Sequence, residues 1–359
     1  MRIKLEKRRE PSMAMLVVTP IASVILTMVI GVVVFDMIGI KGFKAVVDIF
    51  LSPLLQSYKW QDVALKAAPL IIIALGLSMG NRAQVWNIGA EGQYVIGALC
   101  AAGMGLAFGA NGGFVVVLLM IMAGMVGGGL WAAIPAWLRT RFNVNEILSS
   151  LMLTYVALQV LGYLVGGPWK DPNGRNFPAT APLADAQTLP VWNGSTVHLG
   201  VLIALILPFV FWVIMARSEF GYQVRVVGSS PTAARHGGFD SRRTIWATLI
   251  IGGAMAGLAG SLEFTGVLHK IDLGFPSGYG FTAIIVAFLG RLNPIGCLIA
   301  GIVLAVTYVG GQMAQTSVHI PNSTAGIFQA MMLFFILASD ILVRYRVRVI
   351  PSKASAKVA

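Results

Sequence analysis

Long apolar runs, broken by short polar or basic stretches, organise this chain. Ten runs read as membrane spans: 13–35, 62–80, 88–108, 113–137, 146–165, 198–216, 244–265, 279–292, 294–314 and 324–343. A span needs about 20 predominantly apolar residues. The eighth run is short for that and reads as a tilted crossing or half of a re-entrant element. The stretch 42–58 mixes polar and apolar residues around Pro53, which predicts a short interfacial helix outside the membrane. The predicted fold class is an all-α integral membrane protein of about ten transmembrane helices in a single domain over 1–359. Spans 2–5 and 7–10 enter from opposite sides, an order compatible with an inverted repeat.

Composition agrees with this pattern. The chain is 57% hydrophobic and 11% charged, whereas a soluble domain is about 25% charged. The net charge of +12 would suit nucleic acid, but the basic residues cluster at the ends of apolar runs. With ten spans, 19 of the 26 Lys and Arg residues fall on the side that carries both termini. That bias predicts cytoplasmic termini. It also places the Pro- and Gly-rich loop 166–197 outside and the loop 217–243 inside. MRIKLEKRRE resembles the start of a signal peptide, but the run after it is long and lacks a small-x-small cleavage site, so it reads as a retained first span. Cys100 and Cys297 read as packed thiols, and His198, His236, His269 and His319 show no ligand spacing.

The segment Asn87-Ile88-Gly89-Ala90-Glu91-Gly92-Gln93 sets polar side chains and glycines between two apolar runs. A carboxylate in lipid is expensive, and glycine lets the backbone leave the helix. A broken membrane helix beside a solvated path and a short loop at the membrane surface both fit. Asn87, Glu91 and Gln93, followed by Asn145 and Glu146, are the candidate substrate-pathway residues, because hydrogen-bonding side chains can line a path for a polar solute; the alternative for Glu91 is to cap a broken helix or bond to backbone amides. Glu263 and Asp340 lie at span ends and read as structural, with Asp340 four residues from Arg344.

In the internal loop, Ser229 or Ser230 can cap a helix that starts at Pro231 and stops at Gly237-Gly238. So short a helix suits docking on a partner, although an ordinary basic loop would also satisfy the charge rule. No Gly-Lys dipeptide occurs, so a Walker A loop is absent. Gly278-Tyr279-Gly280 lacks the Thr-Val of a potassium filter, and no catalytic or metal constellation indicates an enzyme. Small-xxx-small pairs, among them Gly124/Gly128 and Gly253/Gly257, predict close helix packing.

Four of these stretches also carry a resemblance. NRAQVWNIGAEGQYVIGAL, NEILSSLMLTYVA, GYQVRVVGSSPTAARHGGFD and GYGFTAIIVAFLGRLNPIGCLIAGIVLA occur in that order between about residues 60 and 343. They resemble permease subunits of ATP-binding-cassette importers, in the simple-sugar and nucleoside branch of the ribose/branched-chain-amino-acid permease superfamily. The resemblance implies a transport subunit in a plasma membrane of the bacterial kind, with no cofactor of its own. ATP and Mg would be bound by a separate cytoplasmic ATPase. It further implies a second permease, a heterodimer being favoured over a homodimer, and an external lipoprotein or periplasmic solute-binding protein facing Trp169 and Trp192. The ATPase-coupling residues would be Gly228, Pro231, Ala233, Ala234, Arg235 and Gly238. The alternative is an ion- or proton-coupled secondary transporter with Glu91 as the titrating group.

Overall fold

The computed structural model describes residues 2–7, 13–109, 113–174, 176–192, 194–318 and 324–350. Helices follow in the order α1 (Met13–Met37), α2 (Gly42–Phe50), α3 (Ser52–Leu55), α4 (Trp60–Arg82), α5 (Ala90–Phe108), α6 (Gly113–Phe142) and α7 (Glu146–Gly166). After a long connection come α8 (Leu199–Arg217), α9 (Glu219–Ser229), α10 (Pro231–His236), α11 (Ser241–Glu263), α12 (Tyr279–Leu289), α13 (Pro294–Ser317) and α14 (Thr324–Arg344). Among the described residues, seven helices are long and apolar enough to cross a membrane. Helix α5 carries Glu91, Gln93 and several glycines, which lower its hydropathy, yet most of its length is buried.

The core is built on glycine. Helix α11 packs on α4, α5 and α6. A Cβ at Gly257 would lie 2.1 Å from the Gly124 carbonyl oxygen, and one at Gly97 would lie 2.3 Å from Gly257 Cα. The two small-xxx-small pairs, Gly124/Gly128 and Gly253/Gly257, thus face each other across α6 and α11. Without side chains between them, the backbones reach van der Waals contact.

Three expectations need correction. Helix α2 does not lie apart as an interfacial helix. Ala45 and Ile49 are buried, and a Cβ at Gly310 on α13 would lie 1.9 Å from the Ile49 carbonyl oxygen, so α2 docks into the bundle. The stretch 217–243 is helical over most of its length, because α9 precedes α10. Gly221 and Gly228 read as loop glycines, but they serve close approach instead: a Cβ at Gly221 would meet the Ile214 carbonyl at 2.5 Å. The bundle is all-α, and two short strands lie beside it. Strands β1 (Arg2–Lys7) and β2 (Tyr345–Ile350) pair antiparallel, with Arg2 opposite Ile350. Both alternate polar and apolar residues, a period of two that competes with helix. The pairing puts the two ends of the chain on one side of the bundle.

Helix α12 accounts for the short eighth run. Its 11 residues rise about 16 Å, roughly half a hydrocarbon core. It is preceded by a π-helical turn at Phe264–Leu268 and a non-helical stretch to Gly278, whose φ of +76° suits glycine. His319 lies outside the described residues, as do the side chains of Asp340 and Arg344.

Candidate functional site

The polar segment before α5 is a buried knot. Asn87, Glu91 and Gln93 are 6%, 2% and 1% exposed. The Asn87 and Gln93 amides bond to each other in both directions, at 2.8 and 3.1 Å, and Asn87 Oδ1 also accepts the Gly89 N–H at 3.0 Å. Ser150 on α7 accepts the Ile88 N–H through its hydroxyl at 3.2 Å. The extended residues between α4 and α5 therefore have partners for backbone groups that a helix would otherwise satisfy.

Glu91 reaches across to the half-helix. Its Oε1 accepts the Gly278 N–H at 2.9 Å, and its Oε2 accepts the Gly280 N–H at 2.6 Å. These amides belong to the first turn of α12, where N–H groups lack helical partners and the dipole favours an anion. A Cβ at Gly280 would lie 2.2 Å from the Glu91 nitrogen, so the two backbones touch. An open half-helix end inside a membrane bundle is thereby closed by a carboxylate.

Asn145 and Glu146 stand apart from this knot. Asn145 caps α7 by accepting the Ile147 N–H at 2.8 Å and is exposed. Glu146 pairs with Arg139 at 2.5 Å and accepts the Trp86 N–H at 3.4 Å. The five pathway candidates thus form two clusters along one strip of the molecule.

A second polar cluster went unnoticed in the sequence. Lys66 on α4 donates to the Tyr279 hydroxyl at 2.7 Å and lies 3.8 Å from Glu263 on α11. Glu263, read as structural, is buried. Tyr279 contacts Tyr94 and Tyr308, with ring centroids 5.9 and 5.7 Å away. The Tyr308 and Thr282 hydroxyls are 2.9 Å apart, and Thr282 donates to Gln329 at 3.3 Å. The available signal was a lysine in the first turns of one apolar run and a glutamate near the end of another, with opposite charges at matching ends. The tyrosines and Gln329 carry no such mark, because their meeting depends on how α12, α13 and α14 pack.

At the opposite end, α9 and α10 form one unit. Ser218 caps α9 by accepting the Gly221 N–H, and Ser230 caps α10 by accepting the Ala233 N–H at 3.2 Å. Pro231 opens α10, and Gly238, at φ +79°, follows its end. Only Ala234 of α10 is buried, leaving Ala233 and Arg235 exposed. A Cβ at Gly228 would lie 1.8 Å from the Arg82 carbonyl oxygen, so α9 rests against the last turn of α4. In the connection between α7 and α8, Trp192 is 78% exposed, whereas Trp169 packs on Gly103 of α5.

The family of branched-chain amino acid transport system permease components matches residues 60–337. The chain is 36% identical to the glucose ABC transporter permease protein TsgB13 of Haloferax volcanii over 358 residues, covering 96% of this chain and 93% of that one. It is 26% identical to the guanosine ABC transporter permease protein NupP of Bacillus subtilis, covering 95% of this chain and 97% of that one. With NupQ, a guanosine ABC transporter permease protein of the same organism, it shares 30% identity over 65% of this chain and 75% of that one. A multi-pass helical bundle, a clamped half-helix and this match over most of the length give one conclusion: the chain belongs to the branched-chain amino acid transport system permease component family.

Proposed function

We propose that this chain is the transmembrane permease subunit of an ATP-driven importer for nucleosides or simple sugars. The observation that carries the reading is the seat of α10. A short, solvent-exposed helix is held by two caps, and the helix before it lies against the last residue of α4. A push on α10 reaches the core through backbone contact at Gly228 and Arg82. From there α4 continues to Lys66, which holds Tyr279 at the start of α12. ATP-driven closure of a partner ATPase on α10 would bias the bundle between inward- and outward-open states, provided the partner binds the two states differently.

The chain itself carries no Walker A sequence, so ATP and Mg belong to that cytoplasmic ATPase. Gly228, Pro231, Ala233, Ala234, Arg235 and Gly238 form the coupling unit. The second permease is a related but different chain. NupP and NupQ, two guanosine permeases of one organism, both resemble this sequence, which supports a heterodimer. An external lipoprotein or periplasmic binding protein delivers solute near loop 166–197. The paired strands at the termini and the excess of basic residues there support a plasma-membrane orientation with both ends cytoplasmic. The solute path runs beside Asn87, Glu91 and Gln93, of which Glu91 shapes it by holding α12 while Asn87 and Gln93 fix the segment before α5, and Asn145 and Glu146 frame its cytoplasmic end. Proton coupling at Glu91 draws no support from its two backbone bonds.

Reversing the charge of Arg235 in the complete importer tests this. Arg235→Glu should leave the bundle folded, weaken capture of the ATPase on purification and abolish ATP-dependent uptake. Normal uptake in that variant would reject α10 as the coupling element.

A further inference from the structure

At the end of α4 opposite Arg82, a cavity of about 370 Å³ opens between the α2–α3 region and the last turns of α13, within the size range of small-molecule sites. Its walls carry Asp48, Gln56, Tyr58 and Lys59 on one side and Gln312 and Thr316 on the other. The charges of this wall have partners. Asp48 accepts the Ser52 and Ser317 hydroxyls at 3.1 and 2.6 Å, and Lys59 pairs with Asp62 at 2.8 Å. The result is a hydroxyl- and amide-rich lining with no net charge and an exposed tyrosine ring.

Two polar stripes of residues lead inward from the cavity walls. Lys59, Asp62 and Lys66 recur at i, i+3 and i+7 on one face of α4 and the residue before it. Tyr308, Gln312 and Thr316 recur at i, i+4 and i+8 on one face of α13. The inner ends of both stripes meet at Tyr279, 2.7 Å from Lys66 Nζ and with its ring 5.7 Å from that of Tyr308. The connection between α7 and α8 also reaches this place, because Thr196 donates its N–H and hydroxyl to Gln61, both at 3.0 Å.

We propose that this cavity is the entry site for solute on the outer face, and that it takes a neutral polyhydroxylated ring, the sugar itself or the ribose of a nucleoside, and passes it inward to Tyr279 and Tyr308. The proposal rests on the function proposed above. Asp48 is occupied by two hydroxyls and Lys59 by Asp62, and the two lining charges are of opposite sign, so the wall offers little to an ion, whereas amides and hydroxyls match a polyol, and tyrosine rings can cover its apolar face. The site missed detection in the sequence because its walls are some 250 residues apart in the chain.

The test uses the complete importer in proteoliposomes with guanosine and glucose as probes. A cysteine at Gln312 (Gln312→Cys) is treated from outside with a membrane-impermeant thiol reagent. The wild-type chain serves as background, since Cys297 is buried and Cys100 half-buried. The cysteine should label, and the transported probe should slow labelling. Thr316→Val, which stays in an exposed position, should raise KM for that probe about tenfold, the worth of one lost hydrogen bond, with kcat and complex assembly preserved. If the wild-type importer takes up neither probe, the functional proposal fails and this site with it. If uptake proceeds but labelling is insensitive to the probe and KM is unchanged, the entry site alone is overturned.

Discussion

Glu91 Oε2 accepts the Gly280 N–H at 2.6 Å, across 189 positions of sequence. With the parallel bond to Gly278, it makes one carboxylate the cap of a half-helix that starts inside the bundle. Glu91→Gln removes the charge and one acceptor, and a hydrogen bond to a charged group contributes about 1.5–3 kcal/mol. The melting temperature of the purified chain in detergent should fall accordingly. Glu91→Ala should cost more, since both amides lose their partner. Equal melting of all three forms would show that the clamp contributes nothing.

Half-buried Lys66 lies 3.8 Å from buried Glu263, at the end of α4 away from Arg82. Removing the lysine leaves the Glu263 charge uncompensated, at less than the roughly 3–5 kcal/mol of a fully buried pair, because water screens the lysine. Lys66→Met should therefore destabilise more than the double variant Lys66→Met/Glu263→Gln, in which no charge is stranded. Thermal denaturation of the set reads the coupling directly, and additive effects would contradict it.

Gly228 has no room for a side chain. Overpacking typically costs about 1–3 kcal/mol, and here the obstacle is the backbone of Arg82. Gly228→Ala should separate α9 from α4, so that ATP hydrolysis persists while uptake falls. Gly238→Ala meets open space but a positive φ, and its penalty of about 1–2 kcal/mol is conformational. Because Gly238 ends the coupling unit without touching α4, the variant should lower stability but reduce uptake per ATP hydrolysed less than Gly228→Ala does, measured on the reconstituted complex.

His198 gives the connection between α7 and α8 a pH dependence. It precedes α8, is buried, and its Nδ1 accepts the Gly200 N–H at 3.1 Å, which requires the neutral ring at that nitrogen. Burial, with a smaller contribution from His269, lowers it from 6.5 to about 4. Protonation is thus harder in the folded state. The associated stability is complete above pH 6.5 and is lost as pH falls toward 4, on the order of 3 kcal/mol in all. His198→Asn keeps a capping acceptor and should flatten the stability profile between those values. An unchanged profile would remove His198 as its source.

The membrane class and most helix positions were legible because lipid imposes a uniform rule: about 20 apolar residues with charge at the ends. The meeting of Gly124 and Gly128 with Gly253 and Gly257 was half legible, since the spacing marked the faces without naming their partners. The α10 helix could be read from Ser230-Pro231 and Gly237-Gly238, because caps are local. What stayed hidden is long-range. Glu91 was a candidate for the solute path and also for a helix cap; which amides it holds could not be read, because backbone N–H groups have no letter in the sequence. Lys66, Tyr279 and Tyr308 converge only once α4, α12 and α13 are packed. Gly221 and Gly228 looked like loop residues because close approach and flexibility both select glycine.

The most direct test of the account is solute uptake by proteoliposomes holding this chain, with and without its ATPase partner and second permease. Labelled guanosine or glucose should enter only with the full set of subunits and ATP, and Arg235→Glu should abolish entry. Uptake by the chain alone, driven by a sodium or proton gradient without ATP, would contradict it.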